Sequence, residues 1–147
     1  MIEEETPKEF ASSVGKVIPD LVFSLRQGPE AKRWYTWEED KGSMRGKDEC
    51  LSKYVGMWWW RKEYCYDTRG QNRWGISNLT MLTNAPDDRR MRELMDQSCK
   101  AHPEGKRSRM FLFTSRERWS MAQSWQLFME PTWFTAWDER AQPLLKE

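Results

Sequence analysis

Cysteine, histidine and long apolar runs are all scarce in this chain. Of 147 residues, three are Cys and one is His. Cys50, Cys65 and Cys99 are spaced by 15 and 34 residues, so no pair has CxxC spacing. His102 alone cannot complete a zinc set. An odd number of unpaired cysteines fits buried free thiols in a reducing compartment. No apolar run approaches the ~20 residues that span a bilayer. The start, Met1-Ile2-Glu3-Glu4-Glu5, is acidic where a secretory signal would be basic and then apolar. These absences lead us to expect a cytoplasmic protein that enters no membrane. A Gly-rich phosphate loop, a GxSxG elbow and a Cys–His constellation are also missing, which leaves nucleotide-loop enzymes and the common covalent hydrolases without a motif. An excess of one charge is missing too. With 24 Lys+Arg against 23 Asp+Glu the net charge is +1, so the chain is no global polycation.

What the chain does have is aromatic surface. Ten residues are Trp and 14% are aromatic, which argues against disorder although 32% are charged and mean hydropathy is −0.94. The length fits a single domain over 1–147. Thr6-Pro7-Lys8-Glu9 has the form of a capping box, so a short helix is expected within 1–16. Val17 to Leu25 reads as one strand that tolerates Pro19 near its start. Gln27-Gly28-Pro29-Glu30 reads as a turn, and Lys32 to Glu38 as a second, aromatic strand pairing in a hairpin with the first. A helix is expected from Asp48 to about Tyr64, with Leu51, Tyr54, Val55, Trp58 and Trp59 on its apolar side. Ile76–Thr83 and Arg109–Thr114 read as strands, Asp87–Lys100 as a helix, and 115–147 as a Trp-rich C-terminal segment. Strands alternating with helices after an opening hairpin predict an α/β fold with a mixed central sheet flanked by helices.

The chemistry concentrates between Asp20 and Lys41. An acid inside an apolar strand needs a cation, a metal or hydrogen bonds. Glu38, Glu39, Asp40 and Lys41 end the neighbouring strand of the predicted hairpin, within metal-bridging reach of Asp20. A Mg²⁺ site needs one or two carboxylates, completed by water and phosphate oxygens. Such a site polarises a phosphodiester, and a nearby Lys offsets the developing charge.

Pro19-Asp20 followed by Glu39-Asp40-Lys41 resembles the PD-(D/E)XK nuclease superfamily. A wider set of residues resembles the plasmid replication-relaxation family. It comprises Val17-Ile18-Pro19-Asp20-Leu21-Val22, then Tyr35-Thr36-Trp37-Glu38-Glu39-Asp40-Lys41-Gly42-Ser43, then Lys53-Tyr54. A strand ending at Thr83, an Arg-rich helix start at Asp87-Asp88-Arg89-Arg90, and Phe111-Leu112-Phe113-Thr114 extend it. The resemblance implies a restriction-endonuclease-like fold with an abbreviated N-terminal part. It also implies a DNA-associated protein of a plasmid, phage or mobile element with a nuclease-like site. Asp20 and Glu38 would hold Mg²⁺ or Mn²⁺, Asp40 would assist through water, and Lys53 or Lys41 would stabilise the phosphorane. The two resemblances differ in register. The literal nuclease motif sets Glu39 and Lys41 beside Asp20, the wider one Glu38 and Asp40, and a one-residue slip exchanges them. We prefer Glu38 and Asp40. The contrasting expectation is a non-catalytic protein- or DNA-binding module in plasmid replication control.

Arg89, Arg90, Lys106, Arg107, Arg116 and Arg118 form local basic clusters suited to DNA phosphates, with steeply salt-dependent binding. Trp58-Trp59-Trp60 cannot all face one way, because consecutive helical residues are ~100° apart. Only 16 residues precede Val17. The predicted sheet therefore lacks an edge strand, which a second copy, a partner protein or the Trp-rich tail would cover.

Overall fold

The computed structural model describes residues 2–4, 9–26, 29, 32–41, 47–65, 79–101, 110–118, 132–135 and 140–141. A five-stranded mixed sheet runs in the order β1-β4-β5-β6-β7. Its strands are β1 (Ile2–Glu4), β4 (Leu21–Leu25), β5 (Arg33–Glu39), β6 (Leu79–Ala85) and β7 (Phe111–Ser115). β4 pairs antiparallel with β1 on one side and β5 on the other, while β5-β6 and β6-β7 are parallel. β2 (Phe10–Ser12) and β3 (Gly15–Val17) form a separate hairpin. Two helices, α1 (Lys47–Trp60) and α2 (Asp88–Ala101), make the crossovers between parallel strands, and a π-helical turn, Arg61–Cys65, extends α1. The expected α/β class with a mixed sheet is present.

β4 to β7 are largely buried on both faces, which is why they read as nearly continuous apolar runs rather than as alternation. On one face Val22, Trp34, Met81, Phe111 and Phe113 pack with Tyr54, Met57, Met91 and Leu94 of the helices. On the other, Phe23, Leu25, Tyr35, Leu82 and Leu112 form a second core with Trp133. α2 forms because Met91, Leu94, Met95, Ser98 and Ala101 fall on one helical face. Asp87 caps it by accepting the Arg90 N–H at 2.8 Å. α1 turns Tyr54, Met57 and Trp60 into the core, leaving Trp58 and Trp59 half-buried. Its buried side thus lies closer to Met57 and Trp60 than the expected Leu51–Trp59 side.

Three expectations are corrected. The short N-terminal helix is replaced by strands β1, β2 and β3. So few residues separate Thr6 from Gly15 that helix nucleation is not repaid. Phe10 and Val17 instead pair across a hairpin and bury their side chains. Gly15 closes that hairpin with φ of 155°, a value that L side chains rarely adopt. Second, Val17–Leu25 is not one strand. Pro19 supplies no ladder donor, and the chain breaks into β3 and β4 around Ile18–Asp20. Third, the sheet is not missing its edge there. β1 pairs with β4 through Ile2↔Leu25 and Glu4↔Phe23, so the place reserved for a second copy is filled by the same chain. At the far edge, Phe134 forms an antiparallel bridge with Phe113 of β7, by hydrogen bonds of 2.8 and 2.7 Å. The Gln27–Glu30 turn lies outside the described residues apart from Pro29. So do Trp74, Trp119, Trp125, Trp137 and His102.

Candidate functional site

Residues of β5 alternate between the two cores, and this alternation sorts the acids. Trp34 and Thr36 precede Glu38 and Asp40 on the helix-covered side, whereas Tyr35 and Trp37 precede Glu39 on the other. Leu21 pairs with Trp37 and the Asp20 N–H donates to the Trp37 carbonyl at 3.1 Å, which sets Asp20 beside Glu38. The preferred partners of Asp20 therefore lie on the helix side of β5. Glu39 of the alternative register points its carboxylate to the opposite side, and Lys41 is exposed.

Asp20 is exposed, contrary to the expectation of a buried acid, because Pro19 ends the ladder before it. Its Oδ2 accepts the Glu39 N–H at 2.8 Å, and no cation forms a salt bridge with it among the described residues. Glu38 is the buried one, at 3% exposure. Lys53 of α1 donates to its Oε2 at 2.9 Å, while Oε1 is buried without a hydrogen-bond partner among the described residues. Burial pushes the Glu38 carboxyl above its usual range and the neighbouring Asp20 charge adds to that rise, while Lys53 and, more weakly, the Asp20 backbone N–H oppose it. Beneath them, Tyr54 Oη lies 3.3 Å from Thr83 Oγ1.

Glu39 and Asp40 at the end of β5, and Asp88 at the start of α2, are each matched by arginine. Asp40 is buried and accepts from Arg90 Nε at 2.8 Å, which ties the end of β5 to α2. That ion pair ties Asp40 into the scaffold. Glu39 takes Arg116 at 2.7 Å, Asn84 Nδ2 at 2.9 Å and Trp37 Nε1 at 2.9 Å. Despite partial burial, these donors hold its carboxyl below the usual range. Arg118 and Ser115 donate to Asp88, and the Arg118 hydrogen bond is the main reason its carboxyl is also held low. Of the expected DNA-contacting residues, Arg89 is 91% exposed and Arg116 is half exposed, whereas Arg90 and Arg118 are more enclosed. Lys106 and Arg107 lie outside the described residues.

Asp20, Glu38 and Lys53 are therefore brought together, with two carboxylates against one ammonium. No group of three or more His, Cys, Asp or Glu placed to hold a metal occurs among the described residues. Burial raises the Cys65 thiol to about 11, well away from nucleophilic use. Sequence reasoning missed the arginine matching of Glu39 and Asp40, because Arg90 and Arg116 are 50 and 77 residues away from their partners. Comparison with known protein families, with curated proteins and with solved structures found no match to this chain.

Proposed function

We propose that this is a DNA-associated protein with a divalent-metal site for phosphodiester hydrolysis, of restriction-endonuclease-like architecture and akin to the replication-relaxation proteins of plasmids and other mobile elements. One observation carries the reading. Among the described residues, Glu38 is buried with an unpartnered carboxylate oxygen beside Asp20, which has no cation, while Glu39, Asp40 and Asp88 each have an arginine. The surplus negative charge thus sits at Asp20 and Glu38. Two carboxylates fit Mg²⁺ or Mn²⁺, whose other positions go to water and phosphate oxygens.

When bound, such an ion supplies positive charge to a phosphodiester and acidifies a coordinated water. The chain's own residues do the rest. Glu38 is held rigid by the β5 ladder and by Lys53. Asp20, fixed by the Glu39 N–H, offers its other oxygen to solvent. Lys53 is about one-third exposed and, anchored on Glu38, presents a cation toward phosphate oxygens. Exposed Arg89 and half-exposed Arg116 supply phosphate contacts that align DNA without reading its sequence. The mixed sheet, an antiparallel β1-β4-β5 part continued by parallel β6 and β7 through helical crossovers, is compatible with the implied fold.

A second reading, a non-catalytic module in replication control, is favoured by Lys53 already neutralising Glu38. Cleavage separates the two. Purified protein is incubated with supercoiled, linear and single-stranded DNA in Mn²⁺ or EDTA, beside Asp20→Asn and Glu38→Gln variants. We expect Mn²⁺-dependent cuts that both variants lose, and a Mn²⁺-induced rise in Tm of the wild type only. No cutting of any substrate, with no shift in Tm, overturns the metal site and leaves the binding module.

A further inference from the structure

Gly56 stands inside α1, where glycine is a poor helix former. Its place is explained by Val17. A Cβ at Gly56 would lie 2.6 Å from Cγ2 of Val17, far inside the ~3.5–4.0 Å of a carbon–carbon contact. Val17 is buried at the end of β3, and its β-branched side chain is stiff at χ1. Only a residue without a side chain lets α1 and the β2-β3 hairpin lie this close.

Other contacts bind the hairpin to the same helix. The Phe10 ring meets Trp60 edge-on at 4.7 Å, and Glu63 in the π-helical turn accepts the Ser13 N–H at 3.2 Å and the Ser13 hydroxyl. The hairpin is thus fastened along α1, and the chain runs from it directly to the candidate site. Asp20 is three residues beyond Val17, and Lys53 is three residues, about one helical turn, before Gly56. The Val17–Gly56 contact therefore stands between the segment carrying Asp20 and the helix carrying Lys53.

We infer that Gly56 is a positioning residue, whose missing side chain sets how closely β3 approaches α1 and so where the Asp20 carboxylate stands relative to Glu38 and Lys53. Its functional meaning rests on the metal reading above, but its geometry does not.

The experiment uses the full chain as wild type, Gly56→Ala, Val17→Ala, the double variant, and Met95→Ala as a core-weakened control in α2. Two quantities are read. One is the Glu39 amide proton shift without metal, which reports the Glu39 N–H to Asp20 hydrogen bond. The other is Mn²⁺ affinity by calorimetry. In Gly56→Ala we expect the amide resonance to move upfield and Mn²⁺ to bind ~10-fold more weakly, the size seen when a group supporting a metal ligand is disturbed. The double variant restores both, because the new methyl fills the space Val17 vacates, and Met95→Ala moves neither. Unchanged values in Gly56→Ala, or no restoration in the double variant, overturn the inference. If Gly56→Ala does not fold, a folded double variant with the wild-type amide shift upholds it, and an unfolded one overturns it. A wild type that binds no Mn²⁺ while the amide responds as expected defeats the metal reading alone. Mn²⁺ binding that Gly56→Ala leaves untouched defeats the positioning role alone.

Discussion

Glu38 is 3% exposed and keeps one carboxylate oxygen without a hydrogen bond among the described residues. Burying a charge this way is unfavourable unless a cation faces it. In the metal-free protein that cation is Lys53, at 2.9 Å. Lys53→Met is therefore expected to destabilise the fold by about 2 kcal/mol at neutral pH, since it leaves a buried acceptor unmatched. The sign with pH follows from the raised Glu38 pKa. The folded state binds this proton more tightly than the unfolded state, whose carboxyl titrates near 4.5. The contribution of Glu38 to stability is thus lost as pH rises from 4.5 through its raised folded value. Removing Lys53 takes away the influence that lowers the Glu38 pKa, so the variant's deficit should widen toward neutral pH and shrink toward pH 4.5. Urea denaturation of both proteins across that range measures it. A deficit independent of pH would show that Lys53 acts through packing alone. At this scale the acids and the lysine were legible in the sequence, because their types and spacing carry the resemblance. Their partners were not, because arginine pairing is decided by contacts 50 to 77 residues apart.

Elements with strong local signals were found where the sequence placed them, within a few residues. α2 runs Asp88–Ala101 where Asp87–Lys100 was expected, and β7 runs Phe111–Ser115 where Arg109–Thr114 was expected. Both carry unambiguous patterns: a capped amphipathic helix, and a short apolar strand following the Pro103–Gly105 break. The N-terminal helix failed because a capping box starts a helix without sustaining one, and the following residues pair as a hairpin instead. Gly15 is the pivot of that hairpin. A Cβ there meets nothing within 4 Å, so a substitution is opposed by the backbone alone, with φ of 155°. Gly15→Ala is expected to lower stability by roughly 1–3 kcal/mol, the range for a residue held in a sparsely populated backbone region. Thermal unfolding checks this, and an unchanged Tm would mean that the turn readily adopts another conformation.

At the scale of the whole molecule, the outer sides of β4 and β7 are each met by another segment of the same chain. β1 covers β4 at one edge, and the Phe134 bridge covers β7 at the other. Trp133 beside it is fully buried and meets Trp37 edge-on at 5.8 Å. Trp133→Ala is thus expected to behave as a core deletion, with a loss of roughly 3–5 kcal/mol. A loss below 1 kcal/mol, measured by denaturant titration, would show that this stretch is only loosely attached. No helix among the described residues is long and apolar enough to cross a membrane, in keeping with the short apolar runs of the sequence.

Periodicity, turn residues and the spacing of acids determined by themselves the α/β class, the parallel crossovers and the acids on which a site could be built, because these depend on neighbours within a turn or a strand. The tertiary structure alone decided which acids are matched and which are not. It enclosed Asp40 and Glu39 with arginines, exposed Asp20 at a proline break, and left Glu38 buried with one oxygen unpartnered among the described residues. The physical reason is that burial and charge pairing are properties of what the fold brings near, and the spacing of residues along a chain does not encode them.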